Sequence, residues 1–183
     1  MKRVNISFLL TVSKHSAKVT LKEGNHLLSQ QAIERVVELY SDSLLRLAMH
    51  HVHEQAQAQD IVQEVFIKYA EHKEAFTDEN HEKAWLYRVT INQCKNYHLH
   101  WWQRKRSAFP QSASSTVQDD HSLLDEVRKL PSNQRNAIYF FYYEEYSIKE
   151  IASLMHTKEG TVASWLSRGR KTLKFQLEKG DGQ

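Results

Sequence analysis

The sequence predicts an all-α fold of two small helical domains joined by a flexible linker, and three observations carry that expectation. Five Gly and two Pro in 183 residues leave the chain few places to turn. Apolar residues recur at three- and four-residue spacing over long stretches, the period of helices with one buried face. Residues 107–118, SAFPQSASSTVQ, carry no charge and gather Ser around one Pro, which is linker composition. A chain of this length can hold one or two modest cores, and the linker argues for two, over 28–106 and 119–183.

Residues 1–27 place Ile6, Phe8, Leu9, Leu10 and Val12 behind Lys2 and Arg3, superficially like a signal peptide. The apolar run is short, Ser7, Thr11 and Ser13 interrupt it, and no small-residue cleavage site follows, so neither export nor membrane insertion is expected. A poorly ordered basic extension is the reading. From Ser29, Ile33, Val36, Val37, Tyr40, Leu44, Leu45, Leu47 and Ala48 give a first helix its apolar face. That helix ends in His50-His51-Val52-His53-Glu54, where His50, His53 and Glu54 sit at i, i+3 and i+4. The spacing could hold a metal for an enzyme, but the order is not that of a zinc protease, and histidines near a helix C-terminus are favoured by its dipole. No metal and no cofactor are expected.

A second helix over Ala56 to Lys73 buries Ile61, Val62, Val65, Phe66 and Tyr69 and turns Asp60, Gln63, Glu64, Lys68 and Glu71 outward. Asp60 and Glu64, one turn apart with Gln63 beside them, offer acceptors for a partner's arginines; a merely solvated face is the plainer alternative. A loop from Lys73 to Glu82 carries Phe76. The third helix, about Ala84 to Arg106, groups Leu86, Thr90, Tyr97 and Trp101 on one side. Trp85, Arg88, Asn92, Lys95, Asn96, Leu99, Gln103 and Arg106 lie on the other, and no acidic residue interrupts 84–106. An aromatic, amides and cations on one face suit unstacked bases; Trp85 in the core and a solvated basic terminus is the alternative.

Beyond the linker, Leu123, Leu124, Val127 and Leu130 mark a short helix, Pro131 breaks it, and Ser132 is placed to cap a helix bearing Ala137, Ile138, Phe140, Phe141 and Tyr142. Ser147 with Glu150 makes a capping box for a helix through Ile148, Ile151, Ala152 and Met155. His156 to Gly160 interrupts, and a last helix follows. It sets Val162, Leu166, Gly169 and Leu173 on one stripe, with Ser164, Ser167, Arg168 and Lys171 on or near the opposite one. Short hydroxyls and long cations on an exposed helix can reach base edges and phosphates in a major groove, so this is a candidate helix-turn-helix; a solvated helical hairpin is the alternative.

Charge is segregated along the chain: net +4 over 1–27, −6 over 28–83, +5 over 84–106, −3 over 107–157 and +3 over 158–183. Basic segments draw phosphate backbones by releasing counterions, while acidic ones suit a basic protein surface, so two kinds of partner are expected. Cys94 is the sole cysteine, which excludes an intrachain disulfide and a cysteine-based zinc cluster within one chain, and a reducing cytoplasm is the expected compartment.

Together these segments resemble the short, two-domain bacterial RNA polymerase sigma factors of the extracytoplasmic function (ECF) class of the sigma-70 family. DIVQEVFIKYA (60–70) is similar to the family's core-binding segment, AWLYRVTINQCKNY (84–97) to its promoter-melting segment, and 130–173 to its second domain. The resemblance spans about 29–178. It implies a sigma-2-like helical bundle over 28–106, a linker over 107–118 and a sigma-4-like helix-turn-helix domain over 119–183. It further implies that Asp60, Gln63, Glu64 and Phe66 dock on core RNA polymerase, and that Phe76, Trp85, Arg88, Asn92, Lys95 and Asn96 engage the opened, single-stranded −10 element. Ser164, Ser167 and Arg168 are then expected to read the duplex −35 element, with Thr161, Arg170 and Lys171 near phosphates. An anti-sigma factor is an implied partner, and the protein itself performs no catalysis; a helix-turn-helix regulator that does not recruit polymerase is the alternative. Four departures stand out. Residues 56–59 read AQAQ where acidic residues are usual, Ala163 and Trp165 replace frequent basic residues, His156 takes the place of a turn Gly, and Lys158 stands where Ser usually caps, leaving Thr157 as the candidate cap.

Overall fold

A computed structural model describes residues 30–107 and 123–180. The expected extension over 1–27, and the expected linker beyond its first residue, lie outside the described residues. Among the described residues the secondary structure is helical throughout, in order α1 Gln30–Met49, α2 Gln55–Ala70, α3 Glu79–Ser107, α4 Leu123–Lys129, α5 Ser132–Tyr142, α6 Ile148–Leu154 and α7 Glu159–Gly180. The chain divides into two compact units, Met1–His98 and Leu99–Gln183, so the division falls within α3.

In the first unit the periodicity of α1 becomes a packed face: Ile33, Val36, Val37, Leu44, Leu47 and Ala48 are all buried. They meet Ile61, Val62, Val65, Phe66 and Tyr69 of α2 and Leu86, Tyr87, Ile91 and Cys94 in the core of this unit. The helix α3 starts five residues before the expected Ala84, because Asp78 caps it: Asp78 Oδ1 accepts from the His81 N–H at 2.8 Å. This backbone hydrogen bond holds the Asp78 carboxyl below its ordinary range. The earlier start brings Glu82 into the first turn of α3, where it is buried and shared by two partners. Arg35 Nη2 donates to Glu82 Oε2 at 2.6 Å, and the Tyr69 hydroxyl donates to Oε1 at 2.6 Å. One carboxylate thereby ties α1, α2 and α3 together. The pairing raises the Arg35 guanidinium, and burial followed by the bond to Glu82 pushes the Tyr69 hydroxyl well above its usual range.

In the second unit Val127, Leu130, Ala137, Ile138, Tyr139, Phe140, Ile151, Ala152, Leu154, Val162 and Leu166 form the core. Here α5 begins differently from the expectation. Pro131 occupies the cap position and Ser132 is the first helical residue, so Ser132 does not cap; the fixed φ of Pro, −53°, supplies the entry instead. Arg135 of α5 donates to the carbonyls of Arg128 and Leu130 and so satisfies the end of α4. The close crossing of α5 and α7 is set by Gly169, where an added Cβ would meet Ile138 Cγ1 at 3.3 Å.

Candidate nucleic-acid interface

At the corner between α6 and α7, the start of α6 is capped as the sequence indicates. Ser147 Oγ accepts from the Glu150 N–H at 3.2 Å while the Ser147 N–H donates to Glu150 Oε2 at 2.8 Å, the complete capping box. At the other end of α6, His156 adopts a left-handed φ of 49°. The Thr157 N–H returns to the Ala152 carbonyl at 2.9 Å and the His156 N–H to the Ser153 carbonyl at 3.3 Å, which is the Schellman pattern with histidine where glycine is cheapest. The next helix begins at Glu159, and the Lys158 carbonyl accepts from Thr161 and Val162. Thr157 therefore lies one residue too early to cap α7, and the residue at that position, Lys158, has no side-chain acceptor.

The α7 helix presents two faces. Val162, Leu166 and Gly169 are buried, while Ser164, Ser167, Arg168, Arg170 and Lys171 are exposed and Thr161 is half-buried. Ser164 Oγ donates to the Gly160 carbonyl at 2.9 Å and Arg170 Nε to the Leu166 carbonyl at 3.2 Å, so both side chains lie along the helix. A hydroxyl that donates to backbone keeps its lone pairs for a donor on a base. Of the two positions where basic residues are frequent, Ala163 is exposed and Trp165 half-buried.

The second cationic surface is a stripe on α3. Trp85, Arg88, Asn92, Lys95 and Asn96 fall within about a quarter turn at 100° per residue, and all five retain exposed surface, Asn92, Lys95 and Asn96 most. The stripe starts at an aromatic cluster. Phe76 stacks on Tyr69 with centroids 5.8 Å apart and meets Trp85 edge-on at 5.7 Å; His72 lies 4.7 Å from each of Phe76 and Trp85. The structure thus brings together the loop residue Phe76 and the helix residue Trp85, 9 positions apart. Trp85 is neither wholly core nor free on the surface. Tyr69, whose hydroxyl is held by Glu82, fixes one side of the cluster. Sequence reasoning missed Glu82 and His72. The partners of Glu82 are 13 and 47 positions away and leave no local signal. For His72 the four-residue spacing to Phe76 was the available clue.

On the acidic helix α2, Asp60 and Glu64 are exposed and Gln63 is half-buried. Phe66, expected in the docking set, has 0% exposure. It is a core residue with no surface to offer a partner, because position 66 falls on the apolar side of the helix. His50 is buried whereas His53 and Glu54 are exposed, and among the described residues no three His, Cys, Asp or Glu side chains are placed to hold a metal ion. Nor, among them, is any helix long and apolar enough to cross a membrane.

Two family models match the chain: sigma-70 region 2 over residues 36–105 and sigma-70 region 4 over 120–173. The RNA polymerase sigma-E factor of Streptomyces antibioticus is 30% identical over 158 residues, covering 81% of this chain and 86% of that protein. The chain belongs to the sigma-70 family of RNA polymerase sigma factors. Within that family the ECF sigma factor SigW of Bacillus subtilis is 25% identical over 168 residues, covering 81% of this sigma factor and 90% of its relative, in keeping with the ECF class. In fold, the sigma factor is similar to RpoE of Bartonella quintana, solved in complex with the anti-sigma factor NepR, with a TM-score of 0.61 at 21% identity over 81% of this chain and 98% of that one. The α3 stripe lies inside the region 2 match, and the α6–α7 corner inside the region 4 match up to residue 173.

Proposed function

We propose that this sigma factor binds core RNA polymerase through Asp60, Gln63 and Glu64, holds the opened −10 strand with Phe76, Trp85, Arg88, Asn92, Lys95 and Asn96, and reads the duplex −35 element with Ser164, Ser167 and Arg168. Thr161, Arg170 and Lys171 then contact flanking phosphates. In domain terms, 28–106 is the sigma-2-like bundle, 107–118 the linker and 119–183 the sigma-4-like domain. One observation carries the reading: a single chain presents an aromatic-headed cationic stripe suited to unpaired bases and, separately, a helix-turn-helix suited to paired ones. Strand opening requires a base to leave the stack at a cost of about a few kcal/mol, which stacking and backbone cations offset. The polymerase performs the chemistry, so the sigma factor needs no cofactor and acts in the cytoplasm.

The solved relative named above is complexed with an anti-sigma factor, and a partner of that kind, masking the polymerase-binding surface, fits this chain. The test is transcription in vitro by bacterial core enzyme with the full-length chain on a genomic fragment library, start sites being mapped by sequencing. New start sites preceded by a shared pair of elements are expected. Asp60→Ala with Glu64→Ala should abolish core retention in a pull-down while leaving the fold intact; full retention would remove the docking assignment.

A further inference from the structure

The aromatic cluster at the head of the α3 stripe contains several rings whose polar atoms are not equally available. The Tyr69 hydroxyl is committed to Glu82 at 2.6 Å. Phe76 has no polar atom. His81 reaches Phe76 edge-on at 5.6 Å, and its Nδ1 is held by Thr77 Oγ1 at 3.2 Å. Trp85 offers a single N–H donor. His72 is different. Its ring lies 4.7 Å from both Phe76 and Trp85, it is half-buried, and among the described residues no hydrogen bond engages its ring nitrogens.

Stacking holds any base, since every base has a π face, but base identity is read by hydrogen bonds to the base's edge. A neutral imidazole carries one donor and one acceptor, which makes His72 the ring equipped to read an edge while touching both stacking residues. We infer that His72 is the specificity-determining residue of this cluster: Phe76 and Trp85 hold one unpaired DNA base, and the His72 imidazole hydrogen-bonds its edge. The inference deepens the −10 assignment of Phe76 and Trp85 and rests on it.

The test uses holoenzyme assembled from the full-length chain and bacterial core polymerase. The probe is a pool of fork-junction DNA whose non-template single strand is randomised, and the retained DNA is sequenced. Wild-type protein should enrich one base at one position by about tenfold, the scale of a good side-chain-to-base pairing. His72→Phe keeps a ring for stacking, so total retention should stay within about twofold while that position falls to near parity. Unchanged enrichment in His72→Phe, or no enrichment by wild type at any position, overturns the inference. Where His72→Phe does not fold, His72→Gln decides: an altered base preference supports the inference and an unaltered one overturns it. Phe76→Ala and Trp85→Ala report on the underlying assignment alone. They should lower retention of every sequence alike, and if neither does, the cluster holds no base and the −10 reading fails irrespective of His72.

Discussion

Replacing His156 by Gly should stabilise the second unit. His156 sits at φ 49° in the turn closing α6, where a Cβ crowds its own carbonyl. The left-handed conformation costs an ordinary L residue about 1–2 kcal/mol. Glycine removes that cost but gives the unfolded chain extra freedom worth about 0.4–1 kcal/mol. The balance favours the Gly variant by about 0.5–1 kcal/mol, since the His156 ring does nothing to offset it: the residue is exposed and, among the described residues, only its backbone N–H is bonded. For a unit of this size, that corresponds to a rise in Tm of about 2–8 °C. Calorimetry of the full-length chain, following the transition of the second unit, measures it. His156→Ala is the control, because it deletes the imidazole yet keeps the crowded Cβ, and no gain is expected. A Gly variant no more stable than wild type, or an Ala variant as stable as the Gly variant, would refute the argument from backbone strain. Glu145, at φ 56° ahead of α6, allows an independent repeat.

Other outcomes follow from burial and pairing. Phe66→Ala should cost about 3–5 kcal/mol in chemical denaturation, whereas Asp60→Ala should stay within about 0.5 kcal/mol, the reverse order contradicting the placement of Phe66 in the core. Tyr69→Phe should cost about 1.5–3 kcal/mol by removing a donor from the buried Glu82 carboxylate. Because the folded state raises the Tyr69 hydroxyl above its unfolded value near 10, its contribution is complete at neutral pH and is lost only as pH climbs past that value, so the difference from wild type should shrink in strong alkali. The Asp78 carboxyl is lowered on folding, so its contribution is present above the ordinary carboxylate range and lost as pH falls; denaturation of Asp78→Ala should differ from wild type at pH 7 and converge in acid. Arg168→Ala should relax one base preference in the −35 element by about 1–3 kcal/mol in a duplex-binding competition, and an intact preference would move the reading to another residue.

Periodicity made the helices legible. The stripe Val162, Leu166 and Gly169, the apolar faces of α1 and α2, and the Ser147–Glu150 capping box depend on neighbours three or four residues apart, and all are present in the structure. Phe66 shows where a motif misleads. Helical phase puts it inward with Ile61, Val62 and Val65, and only the family resemblance places it in the docking set. The start of α3 was missed because an Asp cap at 78 followed by Glu79 and Glu82 looks like loop until the carboxylate of Glu82 is seen to have Arg35 and Tyr69 as partners. The aromatic cluster is half legible: the family resemblance groups Phe76 with Trp85 in one expected role, but their meeting, with His72 against both, depends on how the loop folds back onto α3.

The brevity of α6 has a practical corollary. Seven residues is far below the length at which a helix persists alone in water, so α6 would not keep its form in a synthetic peptide spanning 147–174. Any attempt to transplant the α6–α7 corner onto another scaffold has to carry α5 along with it, because the inner side of α7 rests against Ile138.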